Sequence, residues 1–136
     1  MREKSDIALL LLSMFFHRKT VKGRTRLQKT IYLLKHKYKS PFGFSFRHYY
    51  YGPYSDDLAD ALSLLEAADL VKEKGEMLDI NLIRYNYELT EKGQEFCKDL
   101  ASKVKKEVLI EKLRESIEEL QQLPTPELIS LSKRIP

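Results

Sequence analysis

The chain has a single cysteine, Cys97, so no disulfide framework can staple it, and a reducing, cytoplasmic setting is the natural reading. It has no long apolar run either. The most apolar stretch, residues 7–16, is about half of the ~20 residues a membrane-spanning helix needs. His17-Arg18-Lys19 follows where a cleavage site would need small residues, so neither a membrane span nor a signal peptide is expected. Glycine-rich phosphate loops and nucleophile motifs are missing, and His17, His36 and His48 are not at metal-ligand spacing with one another or with Cys97. No catalytic residue, no metal and no cofactor are therefore expected, and the chain is read as something other than an enzyme. Internal repeats and low-complexity tracts are also absent.

Acidic residues are missing from one long interval. Between Asp6 and Asp56 there is none, while ten basic residues run from Arg18 to Arg47. Residues 1–55 carry a net +10 and the remainder −6. Such asymmetry points to an anionic partner for the first half, nucleic acid being the commonest. The competing reading is a solvated basic face balanced by acidic groups elsewhere.

What is present reads as an ordinary globular chain: 136 residues, 43% apolar and 32% charged, enough for one core. A buried helix capped near Ser5 or Asp6 is expected over about 6–17, then a basic turn at 20–23. A second helix, capped by Thr25, places Leu27, Ile31, Leu34 and Tyr38 on one face. Arg26, Lys29, His36 and Lys37 then form an exposed cationic stripe suited to phosphates. Alternation over 44–51 predicts a strand with Phe44, Phe46, His48 and Tyr50 inward and Arg47, Tyr49 and Tyr51 outward.

The stretch around which the chain is organised comes next. Gly52-Pro53 punctuates it, and Ser55 opens a helix with Asp56 and Asp57 at its positive end and Leu58, Ala61, Leu62 and Leu65 on one stripe. Asp69, tolerant of the left-handed conformation, ends that helix. A strand over 70–74, a loop over 75–81 and a returning strand over 83–89 lead to Thr90, which caps a helix carrying Phe96, Leu100 and Val104. A highly charged helix over 101–123 carries Ile110, Leu113, Ile117 and Leu120 as a short heptad seam, read as a dimerisation surface. A last short helix starts at Thr125-Pro126.

This order is that of a winged helix-turn-helix: a mainly α chain with a small β-hairpin wing and a long C-terminal helix. The winged-helix domain takes residues 1–100 and the helical extension 101–136. The run SDDLADALSLLEAADLVKEK…RYNYELTEKGQEF (55–96) resembles the PadR- and MarR-type winged-helix regulators. In those, the recognition helix enters the major groove and the wing touches the backbone. RLQKTIYLLKH (26–36) followed by YYYGPYSDDLADAL (49–62) resembles the YwgA-like proteins. It is also similar to the Panacea domain, found in antitoxins that neutralise varied toxins.

Two functions compete. The leading one is DNA binding by a dimeric transcriptional regulator, with Arg24, Arg26, Lys29, Lys72, Lys74 and Arg84 as the contacts. The alternative is an adaptor- or antitoxin-like module that does not read DNA. It would meet a protein partner, such as a toxin, through Tyr49, Tyr51, Tyr54, Asp56 and Asp60. The helix after Ser55 has no Lys or Arg before Lys72, the wrong charge for reading bases beside phosphates.

Overall fold

The apolar run that opens the chain lies in α1 (Arg2–Phe16), where Leu10, Leu11 and Met14 are wholly buried. The computed structural model describes the backbone of residues 2–50, 52–103 and 107–135. α1 starts ahead of the expected cap, and Asp6 lies inside it. The Asp6 carboxylate accepts from the Gly43 N–H at 2.8 Å, pinning the loop after the second helix to the first.

Arg18 and Lys19, with φ of 57° and 66°, turn the chain into β1 (Thr20–Lys22). A basic turn was expected there. Thr20 and Val21 are β-branched, and the segment finds an edge to pair with that only the folded chain supplies. α2 (Arg24–His36) follows Gly23, whose φ of +103° makes the entry, two residues ahead of the expected Thr25 cap. Every residue from Leu27 to Leu34 on α2 is buried. The exposed cationic stripe is therefore corrected: α2 is the central helix, enclosed on nearly every side, and Lys29 is inside.

β2 (Arg47–Tyr49) and β3 (Gly52–Tyr54) form a small hairpin where one strand was expected. Its register sets Arg47 against Tyr54, His48 against Pro53 and Tyr49 against Gly52. Phe42 and Phe44 are buried and stacked, 5.8 Å between centroids, and Phe46 meets Tyr32 edge-on at 5.1 Å. His48 and Tyr50, expected inward, are exposed, because the turn at 50 breaks the alternation. Tyr51 lies outside the described residues.

α3 (Asp56–Ala67) is as the spacing predicts. Ser55 Oγ accepts from the Leu58 N–H at 3.1 Å, and Leu58, Ala61, Leu62 and Leu65 are buried. Asp69 takes the left-handed conformation at φ 60°. β4 (Val71–Asp79) and β5 (Leu82–Leu89) then form a hairpin much longer than expected, because most of the segment read as a loop is strand. β1 pairs with the other side of β5, giving an antiparallel sheet in the order β1-β5-β4.

Thr90 caps α4 (Glu91–Lys103) by accepting from the Gly93 N–H at 3.0 Å. Gly93 is there for space: a Cβ on it would sit 2.1 Å from the Leu70 carbonyl oxygen. On α4 the core position is Cys97, not Phe96, which is half exposed. Val104, and with it the joining of 101–123 into one helix, lies outside the described residues.

α5 (Glu107–Gln121) and α6 (Thr125–Arg134) complete the chain. The proposed dimer seam is corrected here. Ile110, Leu113, Ile117 and Leu120 are all buried within the single chain, as α5 packs on α1 and α2. Leu113, Ile117, Leu120 and Leu128 join the same apolar cluster as Leu10, Ile31 and Leu58. Burial of each such side chain contributes about 1.5–3 kcal/mol, so lending the seam to a second copy would unpack the core. The architecture among the described residues is α+β: six helices, a three-stranded antiparallel sheet and a two-stranded hairpin.

Candidate interaction surfaces

Leu-Gln-Lys on α2 and residues 52–55 before α3, from the two motifs that carry the resemblance, meet in space. Gln28 Nε2 donates to the Ser55 carbonyl at 3.0 Å, and the Ser55 N–H donates to Gln28 Oε1 at 2.8 Å. Next to it, Lys29 Nζ donates to the Pro53 carbonyl at 2.6 Å. Gly52, at φ +105°, lets the chain pass over the lysine, since a Cβ there would lie 3.3 Å from Lys29 Cε. Both motifs form one clasp that fixes where α3 begins. Lys29 is 4% exposed, and burial first, then Lys133, pulls its pKa down. A lysine so enclosed cannot track phosphates, so its assignment to DNA is corrected.

Arg26 is corrected for a similar reason. Its guanidinium donates to the carbonyls of Gln121 at 2.9 Å and Leu123 at 2.8 Å and to Thr125 Oγ1 at 3.2 Å. It therefore caps the C-terminal end of α5, where the helix leaves carbonyls unpaired and the dipole favours a cation. The other four cations assigned to DNA stay near the surface, each with a partner. Arg24 stacks on Tyr85 with its guanidinium 4.2 Å from the ring centre, donates to the Tyr87 hydroxyl at 3.1 Å and pairs with Glu73 at 3.3 Å. Lys72 and Lys74 share Glu88, at 3.1 and 3.6 Å, and hold its carboxyl below the usual carboxylate range, Lys72 contributing more. Arg84 and Asn86 both donate to Glu76. Exposed pairs of this kind contribute only ~0–1 kcal/mol, so these cations remain open to competing anions.

The residues assigned to a protein partner separate into two places. Tyr49 and Tyr54 meet edge-on at 5.9 Å and line a cavity of about 360 Å³ together with Arg24, Gln28 and Lys29. Asp60 and Asp57 line a second cavity, about 330 Å³, with Asp6, Phe44 and Leu64 on the opposite flank of α3. Asp56 is exposed at the start of the helix, and Asp57 accepts from the Ser45 N–H at 2.9 Å. The outward side of α3 presents Asp56, Asp57, Asp60, Ser63, Leu64 and Ala67, without a cation.

One surface had gone unread in the sequence. At the tip of the β4–β5 hairpin Met77, Leu78, Ile80, Leu82 and Ile83 are all exposed, Ile80 by 84% and Met77 by 71%. The apolar run 77–83 was the available signal, masked by reading Gly75 and Asn81 as the limits of a loop. Cys97 is the packed thiol its helical setting suggests. Its Sγ lies 3.4 Å from the Leu11 carbonyl, and burial pushes its pKa up to about 11. Among the described residues no cluster of three or more His, Cys, Asp or Glu side chains could hold a metal ion, and no helix is long and apolar enough to cross a membrane.

Comparison with known proteins adds one relative and no family assignment: no family model matches the chain. Over 91 residues the chain is 36% identical to the uncharacterized protein YwgA of Bacillus subtilis (strain 168), a match taking in 63% of this chain. It takes in 51% of YwgA, so the chain spans about half the length of the relative it matches. The sequence is similar to YwgA, consistent with a YwgA-like group.

Proposed function

We propose that this chain is a protein-interaction module, adaptor- or antitoxin-like, carried on a winged-helix frame that does not read DNA through its third helix. The frame is supported by the order of elements: α1, β1, α2, α3, then the β4–β5 hairpin, with β1 closing on β5; the β2–β3 hairpin stands between α2 and α3 in place of a tight turn. The observation that carries the function is the chemistry of the hairpin tip. A wing used on a phosphate backbone needs cations there. This tip exposes five large apolar side chains in seven residues, and contiguous apolar surface of that kind marks protein contacts. The outer face of α3, carboxylates without a cation, would repel phosphates and suits a partner whose socket has a basic rim.

Affinity purification of the tagged chain from its native cells tests this, run beside an Ile80→Asp/Leu82→Asp variant. The expected result is one stoichiometric protein partner, lost in the variant. Recovery of nucleic acid alone, released by substitutions on the outer face of α3, would overturn the reading.

DNA binding by a transcriptional regulator is the second reading. It is favoured by the +10 charge of residues 1–55 and by the habits of this frame, an argument by analogy. A homodimer in either reading would have to use a face other than the α5 seam.

A further inference from the structure

A cation-lined cavity lies apart from the tyrosine-lined and carboxylate-lined cavities above. The turn after α1 supplies His17 and Arg18, β1 supplies Lys22, α2 Arg26, β5 Arg84, the last residue of α5 Gln121 and the first of α6 Thr125. Its volume is about 560 Å³, and no carboxylate belongs to its lining among the described residues. Glu76 pairs with Arg84 but is not part of the wall. Arg18 and Lys22 are exposed and join no ion pair among the described residues. One lining side chain carries a buried donor without a hydrogen-bond partner, Arg84 Nε; the other unpartnered atom, Gln121 Oε1, is an acceptor and offers nothing to a phosphate oxygen. A buried donor left unpaired costs about 1–3 kcal/mol, a penalty that a ligand accepting from it removes.

We propose that this cavity is a binding site for a phosphate ester. Planar guanidinium groups recognise phosphate oxygens through paired N–H donors, and a lysine adds a mobile point charge. Arg84 supplies the inner donor, while Arg18 and Lys22 close over the outer oxygens. Arg26 is committed to the α5 carbonyls and acts as fixed positive charge in the wall. His17 Nδ1 lies 3.2 Å from the Thr20 carbonyl, so it carries the proton, and Nε2 faces Arg26 Nε at 3.5 Å. The volume falls within the ~300–1,000 Å³ of small-molecule sites, more than inorganic phosphate alone fills. The ester is therefore either a free organophosphate or a phosphodiester of a nucleic acid backbone.

The experiment is titration with pyrophosphate, with adenosine 5′-monophosphate and with a short DNA duplex, followed by calorimetry and by NMR of the histidine imidazoles. It is run on the wild type, on Arg18→Gln/Lys22→Gln, and on Lys37→Gln/Lys39→Gln, which removes the same charge elsewhere on the surface. Pyrophosphate is expected to bind the wild type and the Lys37/Lys39 variant alike and shift the His17 imidazole resonances. The Arg18/Lys22 variant is expected to weaken it by at least about tenfold. Duplex binding that pyrophosphate displaces, and that the Arg18/Lys22 variant loses, assigns the ester to a nucleic acid. Binding of the monophosphate with the duplex ignored assigns it to a free ligand. Loss of equal size in both variants, or no His17 response at saturating pyrophosphate, overturns the site.

Discussion

Gln28 and Ser55 hold each other by two hydrogen bonds, side-chain amide to backbone amide, in a buried setting 27 residues apart in sequence. The Gln28 carboxamide stands in for the backbone of a neighbouring strand and pairs both the N–H and the C=O of Ser55. The serine hydroxyl is thereby left for the Leu58 N–H. Gln28→Leu keeps most of the volume and orphans the buried Ser55 N–H, at about 1–3 kcal/mol, while the Ser55 carbonyl loses one of two donors and keeps the Ala59 N–H at 3.3 Å. Ser55→Ala leaves those two bonds in place and removes a helix cap, at about 1 kcal/mol. Urea unfolding should therefore rank Gln28→Leu as clearly the more destabilising; the reverse order would show that the clasp contributes less than the cap.

Gly93 and Gly75 should respond oppositely to alanine. The Gly93 position would drive a methyl to 2.1 Å from the Leu70 carbonyl oxygen, and the backbone there belongs to the turn between α3 and β4. At Gly75 the nearest atom is the Ile83 Cγ2 methyl at 3.3 Å, which can give way, and the φ is not in the left-handed region. Gly93→Ala is expected to cost about 1–3 kcal/mol or more as α4 is pushed off the sheet. Gly75→Ala should unfold at nearly the wild-type midpoint.

Arg26 should be irreplaceable by lysine. Its fork reaches Gln121 O, Leu123 O and Thr125 Oγ1 together. Arg26→Met leaves those carbonyls unpaired at the end of α5, a loss of about 1.5–3 kcal/mol for the charged hydrogen bonds. A single ammonium cannot reproduce the planar geometry, so Arg26→Lys should recover less than half of the loss in thermal unfolding.

His17 makes stability depend on pH. Burial, the largest cause, lowers its pKa below the usual 6.5, and nearby Arg26 and Arg18 lower it further against two backbone hydrogen bonds that raise it. The neutral ring is therefore favoured in the folded state. The stabilisation is complete above the unfolded value of 6.5 and is lost as pH falls through the lower folded value. His36 is lowered in the same direction by burial and then by Lys35, so it adds to the effect. Urea midpoints should fall on the acid side of pH 6.5, and His17→Gln should flatten, without abolishing, that slope. An unchanged slope in His17→Gln would move the effect elsewhere.

Much of the backbone was legible where local chemistry decides. Ser55, Asp69 and Thr90 ended or opened helices as their side chains dictate, because each acts within a few residues of itself. Leu58, Ala61, Leu62 and Leu65 pointed inward because a period of 3.6 leaves them no other face. The strand at 20–22 could not be read, because a three-residue segment gains its hydrogen bonds only from β5, more than sixty residues on. Nor could the exposure of His48 and Tyr50 be judged, since a two-strand hairpin and a single strand share the same alternation up to the turn.

Charge was the least legible property. By composition alone the first half of the chain is a polycation, yet Lys29 and Arg26, two of its cations, are spent on internal carbonyls. The α5 seam shows the same limit, since a heptad pattern says that a helix has a partner and not which one. The sequence by itself determined the places of the helices and the caps at Ser55 and Thr90. Only the tertiary structure decided that α5 folds back on its own chain, that the hairpin tip is apolar surface, and that Arg18, Lys22 and Arg84 surround one cavity. Caps and periodicity act over a few residues, whereas the burial of a charge or a seam depends on segments up to a hundred residues apart.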